Sequence, residues 1–343
     1  MSAVASIPQL ERRHQVITTQ HSRRTYHRRT YQAKQAVGWG QRKLLCTEIQ
    51  FLNLFWDPSV VPHPVLVYAG AAPGYHIACL ADMFPEIEFH CYDPRPFKIA
   101  GTDRIKLHQG LFTDDEARKW AGRSDVFLVS DIRTADYQVM EEDVNEAAIW
   151  SDHLLQQGWL EIIQPQQALL KFRLPYTQAW AKLLESSEGS KYAPIDPQRP
   201  QLIQYLHGYC FLQAWAPQTS SETRLVPLKQ DGRYQRQLWD PSHYEDLLFH
   251  HNSVTREAAV FPSGSSELSL DPPELLADYD SRLEATILAD YLYKRNTSIK
   301  PEYLKRLSRH ITQSINSHSS KGRSLSQLRA APIKSTNLNA RVR

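Results

Sequence analysis

The 343 residues are 41% hydrophobic and carry a formal net charge of only +3, enough apolar content for one large domain with appendages or two modest ones. Four cysteines, Cys46, Cys79, Cys91 and Cys210, are scattered with no Cys-x-x-Cys pair, which argues against a zinc ribbon or a disulfide framework and for a reducing compartment. No apolar leader opens the chain and no run approaches membrane-spanning length, so a soluble, intracellular protein is expected.

The charge is unevenly spread. Residues 1–43 hold nine Lys/Arg against one acid, residues 294–343 twelve against one, and the stretch between is acidic. Basic ends suit a polyanionic partner such as nucleic acid, or else form solubilising tails. Within residues 1–37, read as a basic arm, Ser22-Arg23-Arg24-Thr25-Tyr26-His27-Arg28-Arg29-Thr30-Tyr31 interleaves arginines with aromatics that can stack on bases. A helix is expected from Lys43 to Trp56, with Lys43 in its first turn, where the macrodipole disfavours a cation.

From residue 65 strands and helices alternate, the pattern of a parallel α/β sheet. The apolar run Val65–Ala69 reads as a central strand buried on both faces, and it breaks into Gly70-Ala71-Ala72-Pro73-Gly74 before a helix over 75–83. Such a turn exposes bare N–H groups at the carboxyl edge of a sheet. It is not the dinucleotide fingerprint, because Ala72 and Tyr75 stand where glycines would be needed, so a nicotinamide dehydrogenase is disfavoured. A cofactor with no pyrophosphate, such as S-adenosylmethionine, suits it better; an ordinary strand-to-helix turn is the plainer reading. A second strand, 88–92, ends in Asp93, placed to accept the hydroxyls of a ribose.

Further strands are expected at 105–108, 125–130, 167–173, 211–216 and 222–228, and helices at 114–120, 141–157, 177–185, 241–251, 276–294 and 301–315. Residues 186–201 read as a loop, and the chain from Asn316 as disordered. The strand 125–130 delivers Asp131 at its carboxyl end, 167–173 carries Lys171 where desolvation would lower its pKa, and Glu222 opens the last strand. Structural ion pairs are the plain alternative for each.

Taken in order, Trp39-Gly40-Gln41-Arg42-Lys43-Leu44-Leu45, Gly70-Ala71-Ala72-Pro73-Gly74-Tyr75-His76, Ser130-Asp131-Ile132-Arg133, Leu170-Lys171-Phe172-Arg173-Leu174-Pro175 and Glu222-Thr223-Arg224-Leu225 resemble the poxvirus-type cap-specific mRNA 2′-O-methyltransferases. In poxviruses that protein is also the small, processivity subunit of poly(A) polymerase. The resemblance runs from about Gly38 to about residue 290. It implies an α/β, Rossmann-like S-adenosylmethionine-dependent methyltransferase fold with a mostly parallel seven-stranded sheet flanked by helices. The expected organisation is a basic arm (1–37), this domain with its C-terminal helices (38–295) and a basic, partly disordered tail (296–343).

The resemblance further implies a tetrad of Lys43, Asp131, Lys171 and Glu222, with Lys171 as general base and no metal. It implies that Gly70, Ala71, Ala72, Pro73, Gly74 and His76 meet the methionine portion of S-adenosylmethionine. Asp93 and Arg95 are assigned to the ribose, Phe112 and Thr113 to the adenine, and Asp131 to both cofactor and catalysis. For the methylated guanine of a cap it implies Tyr176, with Glu245 facing the base edge and Gln178 standing where the family has an acid. The opposing aromatic is expected from the arm, Tyr26 or Tyr31. Capped mRNA and a poly(A) polymerase catalytic subunit are the implied partners, with no membrane association; a viral chain would act in host cytoplasm or be carried in the virion. A processivity role and methylation of uncapped structured RNA stand as alternatives.

Overall fold

The computed structural model describes residues 15–26, 37–136, 138–185, 198–199, 201–217, 220–256, 279–295 and 301–317. At its centre is an eight-stranded sheet, and the apolar runs make its middle. Strand β2 (Val65–Ala69) and β5 (Val126–Ser130) are buried along their whole length, as a strand covered on both faces must be. On one side β2 pairs in parallel with β3 (Glu88–Asp93), and β3 with β4 (Ile105–Gln109). On the other, β5 pairs in parallel with β2 and with β6 (Gln167–Phe172). Strands β8 (Gly208–Phe211) and β9 (Thr223–Pro227) then extend the sheet antiparallel from β6. The order β1-β8-β9-β6-β5-β2-β3-β4 reverses direction of growth between β2 and β5, the switch point at which doubly wound sheets open a crevice. This is the Rossmann-like α/β class that the alternation of elements predicts.

The sheet has eight strands rather than the expected seven, because Val16–Ile17 of the arm forms β1 on the free edge of β8. Two residues are too short to show a period in sequence. The arm is therefore tied to the body: Leu212 N–H donates to Gln15 O, and Gln50 to Gln15.

Helix α1 (Val37–Phe55) begins six residues before the expected start, so Lys43 lies in its second turn and the dipole objection lapses. α2 (Tyr75–Met83) follows the glycine turn, and α3 (Asp114–Arg118), α4 (Glu142–Ile163) and α5 (Thr177–Glu185) follow β4, β5 and β6. α4 runs through Gly158 instead of ending there. The strand expected at 211–216 ends at Phe211. Leu212–Ala216, apolar but for Gln213, form a buried loop, with Trp215 at φ 63° and its indole N–H bonded to Glu284. A hairpin-like pair, β7 (Ile203–Leu206) with β12 (Arg236–Trp239), and the short β10 (Lys229–Gln230) and β11 (Arg233–Tyr234) were not foreseen.

After β12 come α6 (Pro241–His250) with a π-helical turn (His251–Thr255), α7 (Tyr279–Lys294) and α8 (Pro301–Ser317). Leu304, Ile311 and Ile315 of α8 join the core shared by α1, α2 and α7, so this part of the expected tail belongs to the packed body. Arg42 explains the join. Its fully buried guanidinium binds Glu284 of α7 through two nitrogens and reaches Ser308 and Thr312 of α8. No described helix is long and apolar enough to cross a membrane.

Candidate functional site

The carboxyl ends of β2, β3, β5 and β6 meet around the turn between β2 and α2. Gly70 (φ 82°) is the one residue type that fits its position: a Cβ there would lie 2.7 Å from Ile132 N and 2.8 Å from Asp131 C. Close approach of the turn to the end of β5 thus depends on it. Gly74 (φ 81°) opens α2 from the left-handed region. Between them Ala72 N–H donates to Asp93 Oδ2 at 2.9 Å, fastening the turn to the end of β3. Arg95 closes the same carboxylate from outside, with its N–H and Nε on Oδ1 and a terminal nitrogen on Oδ2. Asp93 is buried, whereas the Arg95 side chain is 67% exposed.

His76, grouped with this turn in the sequence, points elsewhere. Its ring is buried between Gln41 Oε1 (2.8 Å) and Glu48 Oε1 (3.1 Å), and the same Glu48 oxygen accepts the Tyr68 hydroxyl at 2.7 Å. The side chain thus braces the turn against α1. Phe112 likewise packs inward, edge-on to Tyr92 and Trp159, and Thr113 caps α3 through Glu116 N–H.

The four tetrad positions converge from four elements. Lys171 Nζ lies 2.8 Å from Asp131 Oδ1 and 3.6 Å from Glu222 Oε2, while Lys43 Nζ lies 2.6 Å from Glu222 Oε1. Two arginines complete the cluster. Arg224, opposite Lys171 in the β6–β9 register, is buried at 2.6 Å from Asp131 and 3.1 Å from Glu222. Arg133 reaches Glu222 at 2.7 Å. Four cations thus surround two carboxylates. Both arginines stood inside the quoted motifs, but only spatial convergence marks them, since strand alternation gives no reason for a charge at full burial.

Electrostatics follow from this count. Burial pulls the Lys171 ammonium below its ordinary pKa, and Arg133 and Arg224 push the same way against Asp131 and Glu222. Burial would raise Asp131 and Glu222, but Lys171 and the neighbouring cations prevail and hold both below the usual carboxyl range, Glu222 far below.

A second constellation lies beyond the end of β6. The Tyr176 ring is stacked on Tyr26 of the arm, centroids 5.6 Å apart and planes 18° from parallel, and the Arg173 guanidinium lies over the same ring at 4.3 Å. Tyr26 is held by its N–H on Asp246 Oδ1 and by Phe249 edge-on. At the start of α5, Tyr176 N–H donates to Glu146 and Thr177 N–H to Glu245. Burial pushes the Glu245 carboxyl up to about 7. Gln178 is exposed beside it. Tyr31 lies outside the described residues.

The sequence model of the poly A polymerase regulatory subunit family matches residues 14–311. A cap-specific mRNA (nucleoside-2′-O-)-methyltransferase of Myxoma virus (strain Lausanne) is 27% identical over 235 residues. That alignment covers 64% of this chain, and the chain spans only 62% of the relative's length. The protein of the same name from Fowlpox virus (strain NVSL) is 26% identical over 259 residues, covering 71% of this chain and 73% of that one. Among solved structures, human methyltransferase-like protein 13 in complex with SAH is 15% identical with a TM-score of 0.35, covering 61% of this chain and 91% of that one. The family match takes in β1 of the arm at one end and most of α8 at the other, the two segments that the fold ties to the sheet and to Arg42. On that span, the chain belongs to the poly A polymerase regulatory subunit family.

Proposed function

We propose that this chain transfers a methyl group from S-adenosylmethionine to the ribose 2′-oxygen of the first transcribed nucleotide of capped mRNA. The observation that carries this reading is the convergence of Lys43, Asp131, Lys171 and Glu222 beside the Gly70–Gly74 turn. The names of the poxvirus relatives support the same reaction.

S-adenosylmethionine supplies a methyl activated by a sulfonium. The residues present fit such a molecule: a turn whose glycines permit close approach at the sheet's carboxyl edge, followed by a carboxylate at the end of β3. Asp93 would accept the ribose hydroxyls once the exposed Arg95 gives up its place on that carboxylate. Gly70, Ala71, Ala72, Pro73 and Gly74 offer backbone to the methionine portion. His76 contributes by fixing the turn, and Phe112 and Thr113 by forming the wall and the α3 start beside the adenine.

The 2′-hydroxyl is a poor nucleophile and must lose its proton as its oxygen bonds to the methyl carbon, the electron pair of the broken sulfur–methyl bond going to the sulfonium, which would leave as the neutral thioether. Lys171, uncharged, accepts that proton at Nζ. Asp131 and Glu222 then hold the ammonium, while Lys43, Arg133 and Arg224 offset their charge so that Lys171 is not locked protonated beforehand. Alignment of oxygen and methyl in line supplies much of the remaining acceleration.

Tyr26 and Tyr176 would part to take a methylated guanine between them, gaining cation–π energy. Glu245 would accept from the guanine edge, and Gln178 leaves that edge with one carboxylate where the family has two. The test is methyl transfer to capped and uncapped versions of one short RNA, followed by mapping of the modified atom. Label on the 2′-oxygen of the capped RNA alone supports the reading; equal transfer to both points to structured RNA, and transfer to a base overturns it. The family's description favours a second role beside a poly(A) polymerase, checked by co-purification and tail length.

A further inference from the structure

We propose that the outward face of α8 is a second RNA contact, holding the sugar-phosphate backbone downstream of the first nucleotide. The proposal rests on the RNA substrate proposed above, and it concerns a surface outside the tetrad and the tyrosine pair.

The helix is divided lengthwise. Leu304, Ser308, Ile311, Thr312 and Ile315 face the body, while Glu302, Tyr303, Arg306, Arg309, His310 and Gln313 are exposed, with Lys305 on the flank. The exposed positions recur at the three- and four-residue spacing of one helix face. Lys305, Arg306 and Arg309 make no ion pair among the described residues, Glu302 included. Unpaired cations aligned on one face are a footprint for phosphates. A tyrosine of the same face accompanies them: Tyr303 is 37% exposed. Exposed aromatics among cations offer stacking to bases, which an acidic protein surface would not use.

Sequence beyond the helix continues the charge. Residues 318–343 hold six Lys/Arg and no acid. Position completes the argument. The inner face of α8 grips Arg42 through Ser308 and Thr312, and Arg42 is the residue before Lys43, which meets Glu222. A strand leaving the tetrad therefore reaches the outer face of α8 within about two helix diameters, roughly 20 Å. A few nucleotides span that gap.

The experiment compares the full chain with a Lys305→Gln/Arg306→Gln/Arg309→Gln variant, with thermal melting as a folding control. Anisotropy of a labelled uncapped RNA of about twenty nucleotides is read against salt. The expected result is about tenfold weaker binding near 0.1 M salt and a log–log salt slope shallower by about 2, the value for three lost contacts to a single strand. Methyl transfer to a capped RNA of about two nucleotides stays at the parent kcat and KM, because that RNA cannot reach α8. An unchanged affinity and slope overturns the proposal, and leaves the face to an acidic protein. A matching loss of kcat on the short RNA also overturns it, since the change would then act through Arg42. If the parent chain methylates nothing but the slope still falls, the methyl-transfer reading fails and the RNA surface stands.

Discussion

Arg224→Met is the perturbation that separates a tuned lysine from an ordinary ion pair. Arg224 and Lys171 share one oxygen of Asp131, at 2.6 and 2.8 Å, so their charged groups are no more than about 5.4 Å apart. At an effective dielectric of about 20, two unit charges at that distance repel by about 3 kcal/mol. That repulsion adds to burial and to Arg133 in holding Lys171 below its ordinary pKa. Removing the guanidinium also leaves Asp131 to Lys171 and Glu222 with one cation fewer, which works in the same direction. The rate of methyl transfer, measured under saturating substrates, should rise with pH along a limb set by deprotonation of Lys171. In the variant that limb should move alkaline, with the high-pH plateau kept. Arg224→Lys, which keeps a cation on a shorter stem, should move it less. A folded Arg224→Met enzyme whose limb stays in place would refute the electrostatic account.

Three other outcomes follow from the same geometry. Tyr176→Ala should weaken binding of a cap analogue by about 1–2 kcal/mol, read by fluorescence quenching, and leave uncapped RNA affinity unchanged. Because burial raises Glu245 to about 7, the carboxylate needed to accept from the guanine edge forms only as pH rises through about 7. Cap-analogue affinity should therefore climb across that window, and Glu245→Gln should flatten it. In the ligand-free fold the sign is opposite: the stability Glu245 contributes is complete below the ordinary carboxyl range and lost as pH rises to about 7. Arg42→Met takes the guanidinium from the buried Glu284 and leaves it neutral donors such as Trp215 and Ser308, so it should cost about 3–5 kcal/mol in denaturant unfolding.

Much of the fold was legible because a parallel sheet writes itself as apolar runs. Val65–Ala69, Val126–Ser130 and Gln167–Phe172 each lie within a stretch that reads as a strand, the first running into glycine and the other two reaching charged groups at their ends, and each is one. The lysines and carboxylates at those ends were legible for the same reason, since strand ends are where ligand chemistry gathers. What escaped notice depends on distant segments. Val16–Ile17 becomes a strand only because β8 offers a free edge. Leu212–Ala216 mimics a strand because burial, whatever the backbone shape, selects apolar residues. The polar spacing of α8 hid its inner face, where Ser308 and Thr312 are buried for the sake of Arg42. His76 follows the glycine turn by two residues, yet Gln41 and Glu48 of α1 hold its ring inward. Arg224 carried no role in the sequence, and only the register with Lys171 gives it a purpose.

The charge state of one ammonium decides most of this. Chain labelled at lysine Cε can be titrated by carbon NMR, with Lys171→Met assigning its resonance. The account predicts that Lys171 releases its proton well before the exposed lysines do. A midpoint level with theirs, or above it, would contradict it.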